Sequence, residues 1–496
     1  MMELHLPWLE LCMLVPLLGA LIAFRYREPS QAHWPSVAFA LATLIFATGA
    51  WIDFILMRAS VAEDKFHLMT RLLGREFLVL DKISAPLLPL AALLFALVII
   101  ATVRSKARRF SFFSTLLSEA IVLATFSCKE PWLLISLLTL ATLPPYFEMR
   151  ARGRATGMYL FYMTLFIVFM VLGWGIVIAE GQATRQVHTL YAIIPLLVAV
   201  LIRSGVFPFH GWAPDLFDKS SFGTALLFVT PLTGVYAAVR LVLPIAPDWV
   251  MRSMGLMSLF TAVYAAGMAL VQTEGRRLFS YLLLSHAAVI LVGLEMVTVQ
   301  GLTGALCTWI SVSLSLTGFG LAMRAVEARR GRLQLTTYQG LYEQMPLLAV
   351  CFLLTGVASV GFPGTMGYVG AELLIDGAVA TYPLVGVAVV ISAALCGIAV
   401  LHVYFLLFTG ARHVSSIPLR MGRREKFGLL TLVVILFAGG VAPQLNIASR
   451  HHAAEELLNH RGLAIDVNAR PPWEQDHSPA TAQPVPVQPQ RAKGRP

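Results

Sequence analysis

Charged residues are scarce in this sequence. Only 13% of its 496 residues are Asp, Glu, Lys or Arg, whereas soluble domains carry about 25%. Hydrophobic residues make up 57% of the chain, and runs long enough to cross a bilayer, about 20 residues each, recur from end to end. The composition therefore excludes an ordinary soluble protein and predicts an all-α, polytopic membrane protein.

Cysteines are also few. The five cysteines are scattered through or beside apolar runs, and none has the spacing of metal ligands. This pattern argues against a disulfide framework, a zinc site or an iron–sulfur cluster. The sequence also lacks a nucleotide-binding loop, a flavin motif and a quinone-site signature. We therefore expect no cofactor, no metal and no catalytic residue in this chain, so that any redox chemistry belongs to partners.

The first apolar run, Leu6 to Phe24, lacks the basic segment that precedes the core of a signal peptide. Glu10 lies inside the run, and no Lys or Arg precedes it, so we interpret it as a membrane span. The net charge of +10 does not indicate nucleic-acid binding, because the basic residues lie in short loops between apolar runs.

The apolar runs predict fourteen spans in a transmembrane domain of residues 1–460. A further apolar piece, Tyr368 to Ala380, has the length of half a helix. Residues 461–496 are rich in Pro, Gln and Ala without an apolar period, and we expect a disordered polar tail there. The predicted spans are 6–24, 34–57, 85–103, 112–128, 131–147, 157–179, 189–206, 222–243, 250–270, 279–297, 302–323, 345–362, 383–409 and 427–442.

Basic residues alternate between the predicted loops. Every second loop is rich in them, with 21 Lys and Arg in one set of loops against 7 in the other. Cytoplasmic loops carry this excess. The pattern predicts a multi-pass protein of a bacterial-type inner membrane with both termini on the outer face.

Ionisable groups inside spans are costly and are the default candidates for function. Each can instead be a paired structural residue or lie near the membrane surface, which is favoured for Asp53, Arg240 and Glu295 near span ends. Glu119 and Arg203 lie deeper and have opposite charges. We expect Arg203 to be an electrostatic anchor facing a buried acid, most simply Glu119. The full set is Asp53, Glu119, Arg203, Arg240, His286, Glu295, Glu372, Asp376 and His402.

Two predicted spans end in clusters of Pro and Gly. One cluster, Arg203-Ser-Gly-Val-Phe-Pro-Phe-His210, contains Pro208. The other, Gly361-Phe-Pro-Gly-Thr-Met-Gly367, contains Pro363 and Gly364. Broken helices at membrane depth persist only where they line protein or water, and a pair of them in two halves points to a transport path. The alternative is two ordinary loops at the membrane surface.

Short strings in a fixed order are similar to one known family. The longest are Phe207-Pro-Phe-His-Gly-Trp-Ala-Pro-Asp215, Gln272-Thr-Glu-Gly-Arg-Arg-Leu278 with Tyr281 and Ser285-His286 after it, and Ala358-Ser-Val-Gly-Phe-Pro-Gly-Thr365. Shorter ones are Asp81-Lys-Ile-Ser84, Glu119-Ala120 and Pro144-Pro-Tyr-Phe147. Together they resemble the antiporter-like membrane subunits of respiratory complex I, above all the M-type subunit, and the Mrp cation/proton antiporter subunits.

The resemblance implies an antiporter-like fold with two inverted repeats and broken helices. It also implies a proton path of titrating side chains, but several of these are replaced. Arg cannot release a proton near pH 7, and Thr, Leu, Val and Ala carry no titrating charge. The replacements are Thr139 for a Glu, Arg203 for a Lys, Leu232 or Thr233 for a second Lys, Val312 for a His and Ala371 for a Glu or Lys.

The remaining path candidates are Glu119, His210, His286 and Glu372, with Arg203 in the place of the lost Lys. We expect a membrane subunit of a complex I-like or Mrp-like proton-translocating assembly with a degenerate relay. The alternative is a scaffold that conducts little itself and partners an active homologue or a soluble enzyme, as in inorganic carbon uptake. A stand-alone solute transporter is less favoured. The expected partners are other membrane subunits, a peripheral enzyme and the lipid bilayer, with no nucleic acid.

Overall fold

The computed structural model describes residues 2–65, 78–102, 110–181, 188–411 and 419–461. The predicted tail therefore lies outside the described residues, apart from Arg461. Nineteen α helices account for most of the described chain, as the apolar runs predict. The first nine are α1 (Trp8–Arg25), α2 (Pro29–Leu56), α3 (Leu87–Ile100), α4 (Phe112–Ser127), α5 (Pro131–Leu140), α6 (Leu143–Ala151), α7 (Gly157–Ala179), α8 (Leu190–Ser204) and α9 (Trp212–Lys219).

The second half of the chain continues the same architecture. Its helices are α10 (Phe222–Val229), α11 (Thr233–Ala237), α12 (Asp248–Leu270), α13 (Gly275–Glu295), α14 (Val299–Arg330), α15 (Pro346–Ser359), α16 (Met366–Thr381), α17 (Pro383–Phe408), α18 (Arg423–Val441) and α19 (Gln444–His460). A 3₁₀ turn at Phe209–Gly211 precedes α9, and a π-helical turn at Ala238–Val242 follows α11.

A small sheet departs from the all-α prediction. Strand β1 (Met2–Glu3) pairs in parallel with β2 (Val61–Glu63), which pairs antiparallel with β3 (Val79–Asp81). Strands of two or three residues are too short to show the alternating pattern by which a strand is recognised in sequence. The sheet joins the start of α1 to the segment between α2 and α3.

The predicted number of fourteen spans is not confirmed. Within the described residues, ten helical segments are long and apolar enough to cross a membrane, or eleven if α18 and α19, which meet at a bend of 77°, form one span. Three further apolar helices, α3, α4 and α15, have only 14 to 16 residues. The predicted half-helix at Tyr368 is longer than expected, because α16 has 16 residues.

Both predicted breaks interrupt helices. The first separates α8 from α9 at Gly205, which has a positive φ of 69° that favours glycine. The second separates α15 from α16, with Gly361 and Gly364 at φ 78° and 85°. A third break, between α10 and α11, was not predicted, and its Leu232 has a φ of 54°. The relation of the two halves as inverted repeats stays a prediction.

Helix α14 forms the centre of the second half. It has 32 residues, about 48 Å at 1.5 Å each, and is buried along most of its length. Small residues let α16 lie directly against it. A Cβ atom at Gly304 would stand 2.4 Å from the backbone nitrogen of Leu374, and one at Gly377 would stand 2.9 Å from Gly301. These contacts hold α16 against the first turns of α14.

Candidate ion pathway

Arg203 lies at the end of α8, beside the first break, and is 4% exposed. Its Nη2 donates to the Thr233 hydroxyl at 2.8 Å and to the Phe228 carbonyl at 3.3 Å. The guanidinium carbon stands 4.0 Å from the centre of the Phe228 ring and 5.8 Å from that of Trp212. Aromatic faces attract a desolvated cation. Arg203 is therefore held by neutral groups, with no ion pair to any described acid.

Glu119, in the middle of α4, is fully buried. Both of its carboxyl oxygens lack a hydrogen-bond partner among the described residues. The predicted pair of Arg203 with Glu119 is therefore wrong. Opposite charge in two deep spans does not fix the distance between them, and the guanidinium is satisfied in part by Thr233 and Phe228 instead.

A small cavity of about 20 Å³ adjoins Arg203. Its walls come from α4, α6 and α10 and from Thr233 at the start of α11. Among the described residues that line it, Arg203 is the only charged one, and Glu119 is not part of its walls. Five hydroxyl side chains also line the cavity: Ser114, Thr115, Ser118, Thr224 and Thr233.

His286 occupies the middle of α13, 6% exposed, and its Nε2 atom has no partner among the described residues. Buried hydroxyls of α14 share this property. A helical Ser or Thr usually bonds the carbonyl four residues earlier, so an unpartnered buried hydroxyl indicates ordered water. These hydroxyls are Thr308, Ser311, Ser313 and Thr317. Sequence inspection missed them because Ser and Thr are unremarkable in a span.

Two of the three breaks lie beside buried hydroxyl groups that have no hydrogen-bond partner among the described residues. A Cβ atom at Gly234, which follows the third break, would stand 2.6 Å from the unpartnered Ser204 hydroxyl. A Cβ atom at Gly367, after the second predicted break, would stand 2.7 Å from the Ser311 hydroxyl. Unpartnered hydroxyls thus lie beside these breaks, whereas Phe207 and Pro208 of the first break and residues 362–364 of the second are exposed, so the role of the breaks in a transport path stays a prediction.

His210 follows Pro208 in the first break and lies among aromatic rings. Its ring centroid is 5.7 Å from that of Phe207, 5.4 Å from that of Tyr264 and 6.2 Å from that of Tyr281. Its Nδ1 atom is buried without a partner in the described chain. The histidine therefore has a free ring nitrogen at the break.

Glu372 and Asp376 are four residues apart on α16, on the same face, and both are exposed. Neither makes a hydrogen bond or an ion pair with any residue the structure describes. His402, on α17, is exposed as well. These three predicted residues thus lie on the outer surface of the helical bundle, whereas Glu119, Arg203 and His286 lie inside it.

Asp53 and Arg240 have structural partners, as their positions near span ends favoured. Asp53 accepts from the His5 backbone at 2.9 Å and from the Trp8 indole at 3.0 Å. Arg240 binds Asp81 in a two-point ion pair at 2.6 and 2.8 Å. Glu295 is buried against Gly255, and its Oε1 atom has no partner among the described residues.

Asp81 lies in β3, outside the helices, with Lys129 at 3.9 Å. Burial by itself would raise the pKa of the Asp81 carboxyl. The Arg240 guanidinium, the Lys129 ammonium and the Ser84 backbone N–H outweigh it and hold that pKa well below its usual range.

The structure also shows where the residues lie that are predicted to replace titrating groups of the resembled family. Arg203, in the predicted place of one lysine, is hydrogen-bonded to Thr233, which with Leu232 is one of the two predicted places of the second lysine. Val312 is 2% exposed, between the unpartnered hydroxyls of Ser311 and Ser313. Ala371 stands against the second break, where a Cβ atom at Gly361 would lie 3.1 Å from its own Cβ atom.

A family profile supports the resemblance. The profile described as NADH:quinone oxidoreductase/Mrp antiporter, transmembrane, matches residues 132–396, more than half of the chain and the part that holds every broken helix described above. The chain belongs to that family. Its predicted membership and its antiporter-like helical fold are confirmed.

Relatives and solved structures agree with this assignment. F(420)H(2) dehydrogenase subunit M of Methanosarcina mazei is 25% identical over 433 residues, 81% of this chain and 86% of the relative. NADH-quinone oxidoreductase subunit M of Pseudomonas aeruginosa is 25% identical over 508 residues, 91% and 98% of the two chains. A chain of the Mrp complex from Dietzia sp. DQ12-45-1b superimposes with a TM-score of 0.80 at 20% identity, covering 91% of this chain and 97% of that one.

These neighbours are membrane subunits of multi-subunit assemblies. They agree with the prediction of a proton-translocating membrane subunit of such an assembly. They give no support to the alternative of a role in inorganic carbon uptake.

Proposed function

We propose that this chain is a membrane subunit of a complex I-like or Mrp-like ion-translocating assembly, that it conducts protons poorly by itself, and that its activity depends on partner subunits. The observation that carries the proposal is the contact between Arg203 and Thr233. The position of Arg203 supplies a lysine in the resembled family, and a second family lysine corresponds to Leu232 or to Thr233; here the contact joins a guanidinium that stays protonated to a hydroxyl that does not titrate. A proton cannot use this pair as a relay station.

Water supports a weak residual path. The unpartnered buried groups of Ser204, His286 and the α14 hydroxyls need ordered water to satisfy them. Water and one titrating imidazole can pass protons over short gaps. The fixed positive charge of Arg203 opposes that passage near the first break.

The exposed acids of α16 support dependence on a partner. Glu372 and Asp376 are both exposed on one face of this helix, and neither has a partner among the described residues. An acidic residue that faces lipid at the centre of a membrane helix costs about 2.5–3.5 kcal/mol. A neighbouring membrane subunit that covers this face with Lys or Arg removes the cost.

Reconstitution tests the conduction part of the proposal. The purified full chain is placed in liposomes with a pH-sensitive dye inside and an imposed membrane potential. We expect slow acidification by the chain alone and faster flux after its native partners are added. Rapid flux by the chain alone that disappears in His286→Ala contradicts the proposal. If flux stays absent even with partners, the chain is the scaffold of the alternative hypothesis.

Co-purification tests the partner part. We expect the double substitution Glu372→Gln with Asp376→Asn to lower the yield of co-purified membrane subunits several-fold. Glu28→Gln, at an exposed acid before α2, is the matched control and should leave the yield unchanged. An unchanged yield in the double variant would rule out this face as the docking surface.

The orientation is part of the same proposal. The loop charges support an inner-membrane protein with both termini outside. Reporter fusions after Arg108 and after Arg424 should both give cytoplasmic signals. If the two fusions report opposite sides, the proposed topology is wrong.

A further inference from the structure

We propose that the cavity beside Arg203 binds a small monovalent inorganic anion of halide size, which reaches it from the Arg-rich face of the protein. This inference does not depend on whether the chain conducts protons. It concerns a buried positive charge, the donors around it and the openings that lead to it.

The first step is the balance of charge. Arg203 is buried, with only 4% of its surface exposed, and its guanidinium stays charged. No carboxylate of the described chain lies within ion-pair distance of it, whereas Arg240, Arg276 and Arg329 each have one. A buried charge without a counter-charge is strongly unfavourable. Arg203 therefore needs an anion that the described residues do not supply.

The second step is the supply of donors. Within the described residues, the buried Nε of Arg203 has no partner, and Nη2 makes both of the guanidinium's hydrogen bonds. The Thr233 hydroxyl accepts from Arg203, so its own proton is free to donate. Ser114 lines the same cavity, and its hydroxyl proton has no acceptor in the described chain. These groups can donate to one anion together.

The third step is size and sign. The cavity of about 20 Å³ exceeds the roughly 10–15 Å³ that one water molecule needs, so it can hold a single small ion. The single positive charge of Arg203 can neutralise a monovalent anion but leaves a divalent one such as sulfate half uncompensated. Arg203 is the only charged residue in the part of its lining that the structure describes, which argues against a metal cation.

The fourth step is access. Ser114 belongs both to this cavity and to a groove of about 660 Å³ along α4 and α6. That groove shares Phe110 and Arg152 with a pocket of about 470 Å³. A cluster of one charge sign raises the local concentration of counter-ions. Four of the cations that line the pocket are paired with carboxylates, and Arg154 and Arg324 have no ion pair within the described residues. The six cations are Arg152, Arg154, Lys219, Arg276, Arg324 and Arg332.

Thermal unfolding of the purified full chain tests the site. Sodium chloride or bromide is titrated against sodium gluconate at constant ionic strength, and sodium sulfate serves as the divalent-anion control. We expect the unfolding midpoint of the unmodified chain to rise saturably with either halide but not with sulfate. Arg203→Gln should abolish this rise, and Thr233→Val should require several-fold more halide.

A matched variant separates this site from other cations. Arg252 is an exposed arginine that bonds the Tyr382 hydroxyl at 3.0 Å, so Arg252→Gln should keep the full halide response. A halide-independent midpoint in the unmodified chain, or an equal rise in Arg203→Gln, overturns the proposal. If Arg203→Gln does not fold, binding of radioactive chloride decides. Binding of one chloride ion per chain, with a lower affinity in Thr233→Val, supports the site. The absence of bound chloride overturns the proposal.

Discussion

Arg203 and Arg240 are two buried arginines at either end of the same run of broken helices, yet their surroundings differ. Arg240 meets Asp81 through two contacts, at 2.6 and 2.8 Å, and Lys129 approaches the same carboxylate. Arg203 meets a hydroxyl, a carbonyl and aromatic rings. The first arginine is neutralised inside the fold, and the second is not.

This difference separates a structural charge from a functional one. A two-point arginine–carboxylate pair has fixed geometry, and its two charges neutralise each other. The Nε atoms of both arginines lack a partner among the described residues, so the difference lies in the charge, which stays unneutralised at Arg203 beside its hydroxyl-lined cavity. Arg240 therefore ties the π-helical turn to β3, whereas Arg203 is available to an ion.

The largest expected effect comes from breaking the ion pair between Asp81 and Arg240. Asp81→Asn should lower the free energy of unfolding by about 3–5 kcal/mol, because it leaves the Arg240 charge buried without a partner. Chemical unfolding of the purified protein measures this. The double variant Asp81→Asn with Arg240→Gln should recover much of the loss, since no charge then remains. If Asp81→Asn alone lowers the free energy of unfolding by less than about 1 kcal/mol, Asp81 does not neutralise the charge of Arg240.

Arg203→Gln should have a smaller effect in halide-free buffer. It removes the hydrogen bonds to Thr233 and Phe228 and the contacts with aromatic rings, but it also removes a buried charge that no described acid neutralises, so the net change should be about 2 kcal/mol or less. Chemical unfolding under the same conditions compares the free energies of unfolding of Arg203→Gln and Asp81→Asn. A loss as large as that of Asp81→Asn would mean that Arg203 has an acidic partner after all, and the comparison between the two arginines would fail.

The smallest expected effect concerns the pH dependence of the free energy of unfolding. Because the pKa of Asp81 is lower in the folded protein than its unfolded value of about 3.9, its stabilisation is complete above that value and is lost as the pH falls towards the folded pKa. Between pH 5 and pH 3 the loss should be about 1 kcal/mol. The double variant of Asp81 and Arg240 should lack this part of the acid limb, and an identical acid limb in both proteins would contradict the assignment.

Much of the fold could be predicted from the apolar runs and from Pro and Gly. The breaks after Arg203 and at Gly361 follow from residues that cannot continue a helix. The break at Leu232 and the strands at Val61 and Val79 were missed, because segments of two to five residues leave no periodic signal.

The candidate site was only partly predictable. Arg203, Glu119 and His286 were found because a titratable group inside a span is costly and therefore conspicuous. The hydroxyls of Ser311 and Ser313 were missed, because their significance depends on the absence of a hydrogen-bond acceptor nearby. The burial of His286 and the exposure of Glu372 likewise depend on how neighbouring helices pack.

The sequence by itself determined that the chain lies in a membrane, where its helices break and which relay groups cannot titrate. These properties follow from residue chemistry and from the order of residues along a few helical turns. The tertiary structure decided which charge meets which partner. Asp81 and Arg240 are 159 residues apart in the chain and 2.6 Å apart in space, whereas Glu119 and Arg203 form no ion pair. Electrostatic attraction and hydrogen bonding act over a few ångströms, and only the packing of distant helices sets those distances.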